Sequence, residues 1–549
     1  MGELAQAGLS PGLMSAGLGS VPAAQTDLDI TQGNRVFSSL YGEELPAGVR
    51  VPLNRPLRDE ALRQRAESAP AEIEPGLLAA TLAQAGEGFE VRAATPKQLP
   101  GLAKSLRGND LLIAIERPPP PKNRALAIGI AGRGFDGNLS SDSTRLDGYV
   151  LATDLAPTIL ERFGLGVPAQ MSGQPIYAED SVDATAVIGL GKRMAVISER
   201  RGPVIGLSLL AWIVVLGLAI AVTRGAAARA GVRIAGLAVV YLPLVLLLGA
   251  ALEPGQNAEM LLVLLAAPLL AVLTLWLVGG YRALAVAAGA TALAYAIDVV
   301  AGSPLTSLSL LGPNPGLGVR FYGIGNELEA LLVVLVVAGV GAALTGFAPR
   351  LSTRADAIAF LAVGLVAALI FAAGRFGADV GAAIVFPVGA AVAAAVVAAR
   401  RRRTALLVVA LPFVILALLA LIDLVSGANA HLTRSVLDAG GFGDLADVAQ
   451  RRLQLSARSF TRPIVFVFLP LIVALAALAL VRRERLRAWL QGRPAMRAGL
   501  IGAAVATVVG TLANDSGALL LEIGAAYLLV FTGFAWAEAG PAAPAQAER

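Results

Sequence analysis

Between residues 318 and 339 the sequence reads GVRFYGIGNELEALLVVLVVAG, which sets Arg320, Tyr322, Asn326, Glu327 and Glu329 ahead of an unbroken apolar run. A charge at the centre of a membrane helix costs about 2.5–3.5 kcal/mol on insertion scales, so ionic groups at the mouth of such a run need a reason. Three other short stretches repeat the arrangement: GRFGAD with Arg375 and Asp379, SGANAHLTR with Asn429, His431 and Arg434, and ANDSG with Asn514, Asp515 and Ser516. Glu327, Asp379, His431 and Asp515 are the residue types that move protons in catalysis. Arg320, Arg375 and Arg434 suit anionic oxygens. Tyr322, Asn326, Asn429, Asn514 and Ser516 would complete a binding site by hydrogen bonding. No metal ligands are assigned, and no cofactor is identified. Taken singly, each residue has an ordinary role. Glu327 and Asp515 fall where carboxylates complement a helix dipole, and Asn and Gly form turns. Their recurrence at four junctions predicts a shared polar cavity.

The elements that must position these residues follow from composition. The chain has 549 residues, 56% of them hydrophobic and only 15% charged, too few charges to cover a soluble protein of that size. The apolar residues are segregated. Residues 1–202 read as a soluble domain, 203–540 as a helical membrane domain and 541–549 as a disordered cytoplasmic tail. Eleven spans are predicted near 203–223, 234–252, 260–278, 283–300, 327–346, 356–373, 379–399, 405–424, 463–481, 498–513 and 517–537, each close to the length that crosses about 30 Å of hydrocarbon.

Alternate loops differ in charge. One set carries Arg224, Arg229 and Arg233, then Arg282, Arg350 and Arg354, then Arg400 to Arg403, then Arg482 to Arg497. The positive-inside rule makes that set cytoplasmic. The soluble domain and the four polar junctions are then external, in a bacterial plasma membrane, with the C-terminus inside. The basic balance thus encodes topology, and nucleic acid is not an expected partner. An external domain needs a signal segment or an upstream span. MGELAQAGLSPGLMSAG has neither a basic n-region nor an apolar h-region, so a longer native N-terminus is expected. The chain has no cysteine and one histidine, which excludes disulfides and thiolate metal sites.

Within residues 1–202 strand and helix patterns alternate. PGLLAATLAQAGEGFEVRAAT reads as helix, glycine turn and strand; GNDLLIAIERPPPP and RALAIGIAG read as strands; and ATDLAPTILERFGLGVP reads as a helix with Asp154 as candidate N-cap. Repeated strand–helix units predict an α/β sandwich with a largely parallel sheet. Residues 431–462 predict an amphipathic surface or re-entrant helix, with Arg451, Arg452 and Arg458 opposite Leu445, Val448, Leu453 and Leu455.

STRLDGYVLATDLAPTILERFGLGVPAQMSGQPI resembles the C-terminal signature of the alkaline phosphatase superfamily, and LDITQGNRV resembles the segment after the nucleophile in its cofactor-independent phosphoglycerate mutase branch. The resemblance covers residues 10 to 177. The layout as a whole is similar to bacterial envelope membrane proteins that join such a domain to many helices. The resemblance implies a phosphatase-like fold and a two-metal site with Asp and His ligands. Residues 1–202 contain no histidine, and the chain reads as opening at the helix after the family's first, Asp-bearing strand. Thr26 falls near the nucleophile position but also reads as an ordinary loop threonine. Asp27, Asp29, Asp110, Asp136, Asp142 and Asp154 offer either an all-carboxylate metal site or turn and cap residues. A catalytically degenerate domain used for binding or assembly is the expectation.

The leading functional expectation is an envelope protein whose cavity and phosphatase-like domain bind or transfer a phosphate-bearing lipid or polymer, with a membrane lipid or lipid-linked precursor as partner. The alternatives are a proton-coupled transporter or flippase using Asp298, Asp423 and Glu522, and a non-catalytic scaffold for envelope protein partners.

Overall fold

The computed structural model describes residues 1–69, 71–117, 125–223, 225–398, 456–463 and 465–539, with single residues 414 and 454. It divides into two compact units. One comprises Met1–Ser198 with Pro313–Phe321, and the other Glu199–Gly312 with Tyr322–Arg549. The division falls close to the composition break. It adds one feature the hydropathy pattern does not carry, because a segment of the long 301–326 loop belongs to the N-terminal unit.

The N-terminal unit holds strands β1 (Ser10–Ser15), β2 (Leu111–Ile115), β3 (Ala125–Gly132), β4 (Asn138–Ser141), β5 (Tyr149–Leu151) and β6 (Ile176–Glu179). Four of them form a sheet in the order β2-β3-β1-β5, and β4 pairs with β6. The sheet is mixed and not largely parallel: β1 runs parallel to β5 but antiparallel to β3, and β2 is antiparallel to β3. The chain length between strands explains part of this. Residues 116–124 are too few for the crossover of a dozen or more residues that parallel neighbours require. Four predicted elements form as expected: β2, β3 and the helices Leu77–Gln84 and Leu155–Arg162. The strand expected after Gly86 does not form. Val91 is 49% exposed there, so the segment has no buried face to hold a pairing. A strand, β1, also stands where the sequence reads as opening directly into a helix. It lies mid-sheet, ahead of helix α1 (Ala23–Gln32), and carries no acidic residue. Met14, Ile30, Ile128, Ile130, Leu139, Val150 and Leu155 bury together as the core.

Among the described residues, eight helices are long and apolar enough to cross a membrane, or nine if Val465–Val481 and Arg483–Trp489, bent by 76°, are one span. The chain is a multi-pass integral membrane protein. The span predicted at 405–424 lies outside the described residues, apart from residue 414. The span near 379–399 forms as a shorter apolar helix, Ala382–Ala398. Helices that position polar residues are α2 (Leu155–Arg162) in the first unit, and α3 (Gly280–Val300), α4 (Asn326–Phe347), α5 (Thr353–Ala372), α6 (Ala382–Ala398), α7 (Pro494–Ala513) and α8 (Gly517–Glu538) in the second. Small residues let α4, α6 and α7 pack backbone to backbone: a β-carbon on Gly499 would sit 2.9 Å from Val337 O, and one on Gly389 3.0 Å from Ala506 Cβ.

Candidate functional site

The three polar junctions that fall within the described residues meet through glycine turns. After α5 the chain passes through GRFGAD, with Ala378 held at φ 52°, and bonds Asp379 N back to Phe371 O at 3.1 Å. Gly323, at φ 77°, lies against Gly377 O, where a side chain would collide. Ile324 N donates to the same carbonyl at 3.0 Å. The turn that opens α4 and the turn between α5 and α6 are therefore joined by backbone. The turn between α7 and α8 is closed by Ser456 Oγ donating to Thr511 O at 2.7 Å, and by Ala518 N donating to Ser459 Oγ at 3.0 Å.

Side chains then bridge these turns. Asn326 Nδ2 donates to Asp515 Oδ1 at 3.0 Å, and Asn514 Nδ2 to Glu329 Oε2 at 2.7 Å. Glu329 is fully buried and Asp379 is 3% exposed. Asp379 Oδ1 accepts Gly381 N at 2.9 Å, and a β-carbon on Gly381 would stand 2.5 Å from Glu329 Oε2. Only glycine leaves room for that carboxylate. A buried charge must be hydrogen-bonded to be tolerable, and the amide of Asn514 with the first turn of α4 supplies favourable partners. Asn514, Glu329 and Asp379 make a buried floor. Asp515 and Arg375 are exposed, and Asn326, Glu327 and Ser516 half-buried, as a rim. Glu327 Oε1 lies 3.7 Å from Arg201 Nη1, and Arg201 also donates to Gly312 O.

Of the sequence candidates, Asn326, Glu327, Asp379, Asn514, Asp515 and Ser516 lie on the three turns joined in this way, and Arg375 lies on the middle one. Tyr322 belongs to the membrane unit. Arg320 belongs to the N-terminal unit, with Pro313–Phe321. Asn429, His431, Arg434 and Asp423 lie outside the described residues, as does most of the predicted 431–462 helix. Glu329, Gly381, Arg201, Ser456 and Ser459 were not among the candidates. Glu329 had a signal, as a second acid one turn into an apolar helix, but the pairing of Arg201 with Glu327 has none in the sequence. Asp298 is a cap: its two oxygens accept Leu305 N at 3.1 Å and Thr306 N at 2.7 Å.

The acids of the N-terminal unit have separate tasks. Asp154 occupies the N-cap position of α2 but makes no side-chain cap bond there. It accepts instead from Ser141 Oγ at 2.7 Å, Ser143 Oγ at 2.6 Å, Leu151 N at 2.9 Å and Gln174 N at 3.0 Å. Burial pushes its carboxyl above the usual range against the pull of those bonds. Asp29, 2% exposed, takes Gln25 Nε2 at 2.8 Å and Gln32 Nε2 at 3.2 Å, and burial raises it to about 7. Asp27 pairs with Arg117 at 2.6 Å, Asp110 accepts Arg107 N at 2.9 Å, and Asp136 and Asp142 are exposed. Thr26 sits within α1, 1% exposed, rather than in a loop. Among the described residues no three His, Cys, Asp or Glu side chains converge as metal ligands. No family model, curated protein or solved structure matches the chain.

Proposed function

We propose that this membrane protein binds or transfers the headgroup of a phosphate-bearing lipid or lipid-linked polymer of the bacterial cell envelope, at the junction of α4, the α5–α6 turn and the α7–α8 turn. The observation that carries this is the joining of Asn326 to Asp515 and of Glu329 to Asn514 across residues far apart in sequence. Independent helix caps would not pair with one another. In this reading Arg375 and Arg201 hold anionic oxygens, Asn326 and Asn514 orient the headgroup, and exposed Asp515 or neighbouring Glu327 serves as base. Buried Glu329 and Asp379 keep the turns in register. The N-terminal unit is read as an alkaline phosphatase-like domain that binds rather than hydrolyses, on the TD-APT motif and its lack of histidine. The arginine-rich loops support an external site and a cytoplasmic C-terminus.

Orientation is tested in the cysteine-free native background. Ser516→Cys should react with an impermeant thiol reagent from outside the cell and Gln491→Cys should not; the reverse pattern would place the site in the cytoplasm. Binding is tested with a polyprenyl phosphate and the matching polyprenol presented to purified protein in nanodiscs. Selective retention of the phosphate, lost on Asn326→Ala, is expected, whereas equal retention of both lipids would end the phosphate reading.

A second reading, proton-coupled translocation, is favoured by a fully buried carboxylate, Glu329, inside a spanning helix. It no longer draws on Asp298, whose oxygens are engaged by backbone amides. A pH-gradient-dependent lipid or solute flux in proteoliposomes, abolished by Glu329→Gln, would select it over the first.

A further inference from the structure

The ends of α7 and α8 remote from the α4 junction carry a second set of charges. Asn514 and Ser516 mark the junction, where α7 ends and α8 begins. At the far ends stand Arg493, just ahead of Pro494, and Glu538, the last residue of α8. A helix of 20 residues is about 30 Å long, so α7 alone sets the two ends a hydrocarbon core apart. Arg493 Nη1 donates to Trp489 O at 3.0 Å and its Nη2 to Glu538 O at 3.0 Å, while Arg233 Nη1 pairs with the Glu538 carboxylate at 3.0 Å. Trp489 closes the short helix Arg483–Trp489, which is thereby clasped to the end of α8.

The chain reaches that short helix through Val465–Val481, 17 residues without a charge and about 26 Å long. Its side chains face outward: Phe466 is 67% exposed and Val481 77%. In a membrane protein such a surface is covered by acyl chains. At Arg482 the sequence turns from apolar to basic, and there the axis bends by 76°. The bend lays the short helix across the end of the apolar one, at the level where hydrocarbon gives way to headgroups. Leu486, Trp489 and Leu490, spaced i, i+3, i+4, are half-buried, whereas Arg482, Arg483, Arg485 and Arg487 are exposed. Glu484, the one acid of this helix, pairs with Arg487 at 2.7 Å and lies 3.7 Å from Arg483. The guanidinium groups of Arg482 and Arg485 have no ion-pair partner among the described residues.

We propose that residues 482–489 form a binding surface for the anionic phospholipid headgroups of the membrane this chain spans, with lipid phosphates seated on Arg482 and Arg485. Four arginines against one glutamate supply the charge complementarity, and each guanidinium presents paired donors that match phosphate oxygens. The half-buried apolar side and Trp489 suit the interface between acyl chains and water. The Arg493 clasp keeps this surface in a fixed place on the bundle. None of this depends on the reading of the α4 junction, which lies at the opposite ends of α7 and α8.

The test places the full-length protein, with a fluorophore on Ala488→Cys in its cysteine-free background, in nanodiscs of phosphatidylcholine containing a minority of brominated lipid. Bromine quenches on contact, so brominated phosphatidylglycerol should quench more than brominated phosphatidylcholine at the same mole fraction, and salt should erode the difference. Arg482→Gln and Arg485→Gln should each lower the preference about fivefold, the contribution of one juxtamembrane arginine, with native tryptophan fluorescence unchanged. Glu484→Gln, which keeps every arginine, should raise the preference by a similar factor. Equal quenching by the two lipids would overturn the proposal, as would a preference that both arginine variants leave intact. If an arginine variant loses native fluorescence, Glu484→Gln decides, and a preference that fails to rise overturns the proposal.

Discussion

Two buried carboxylates, Asp154 in the N-terminal unit and Glu329 in the membrane unit, solve the same electrostatic problem in different ways. Asp154 takes four donors drawn from residues 141, 143, 151 and 174, a short span of chain, and with them ties β4, β5 and the start of α2 together. Glu329 takes the amide of Asn514, 185 residues away, and sits where Gly381 makes room for it. The first carboxylate is committed to architecture. That is why a motif resembling a phosphatase signature need not mark a metal centre: its acid is already saturated with hydrogen bonds. The second holds three turns in one place, with Asp515 and Arg375 exposed on the turns beside it.

The comparison can be broken most decisively at Asp154. Asp154→Ala strands two backbone amides and two hydroxyls, each costing about 1–3 kcal/mol when left buried and unpaired. The N-terminal unit should lose its protease resistance while the membrane unit keeps its fold. All four tryptophans, Trp212, Trp276, Trp489 and Trp536, lie in the membrane unit, so their fluorescence should stay native. Loss of both signals together would mean that the two units do not fold separately.

Asn514→Ala should act in the opposite sense. Removing a charge-assisted hydrogen bond from a buried carboxylate costs about 1.5–3 kcal/mol, so tryptophan-monitored unfolding should shift and proteolysis of residues 1–198 should not. Glu329→Gln in the same background should recover part of the loss, because it removes the charge that was left short of a partner. No recovery would show that Asn514 contributes packing rather than charge compensation.

Asp29 sharpens the comparison through pH. Burial raises its folded pKa from 3.8 to about 7, with Gln25, Gln32, Arg35, Arg65 and Tyr41 facing it. The folded state therefore binds a proton that the unfolded state releases between these values. The stability this contributes is fully present below about pH 4 and is lost as pH rises through about 7. The thermal midpoint of the N-terminal unit should fall over that window, and Asp29→Asn should flatten the fall. A midpoint that instead rises across the window would place Asp29 as a stabilising anion held by Arg35 and Arg65.

The smallest expected effect is Ser456→Ala, which removes the bond to Thr511 O at the α7–α8 turn. A single neutral hydrogen bond contributes about 0.5–1.5 kcal/mol, so the membrane unit should be only slightly destabilised. A loss as large as that of Asn514→Ala would make this segment, and not the amide–carboxylate bridge, the main support of the turn.

The sequence by itself determined the membrane class, the position of the boundary near residue 200, and the turns at which polar residues gather. These follow from local rules, because a span needs a run of apolar residues of a set length and a turn needs glycine or asparagine. Period and composition also located β2, β3 and the helix Leu77–Gln84. Tertiary structure alone decided the rest. Strand direction depends on which segments are neighbours, so an alternating pattern could not show that β1 runs antiparallel to β3. Asp154 could not be read as a hub, since its donors are identified only once β4 and the 174 segment are packed beside it. Glu329 could not be told from an ordinary first-turn acid until Asn514 and Gly381 were brought against it. The removal of residues 313–321 to the other unit left no mark in hydropathy, because the shape that fits Gly318 to Gly17 exists only in the folded chain.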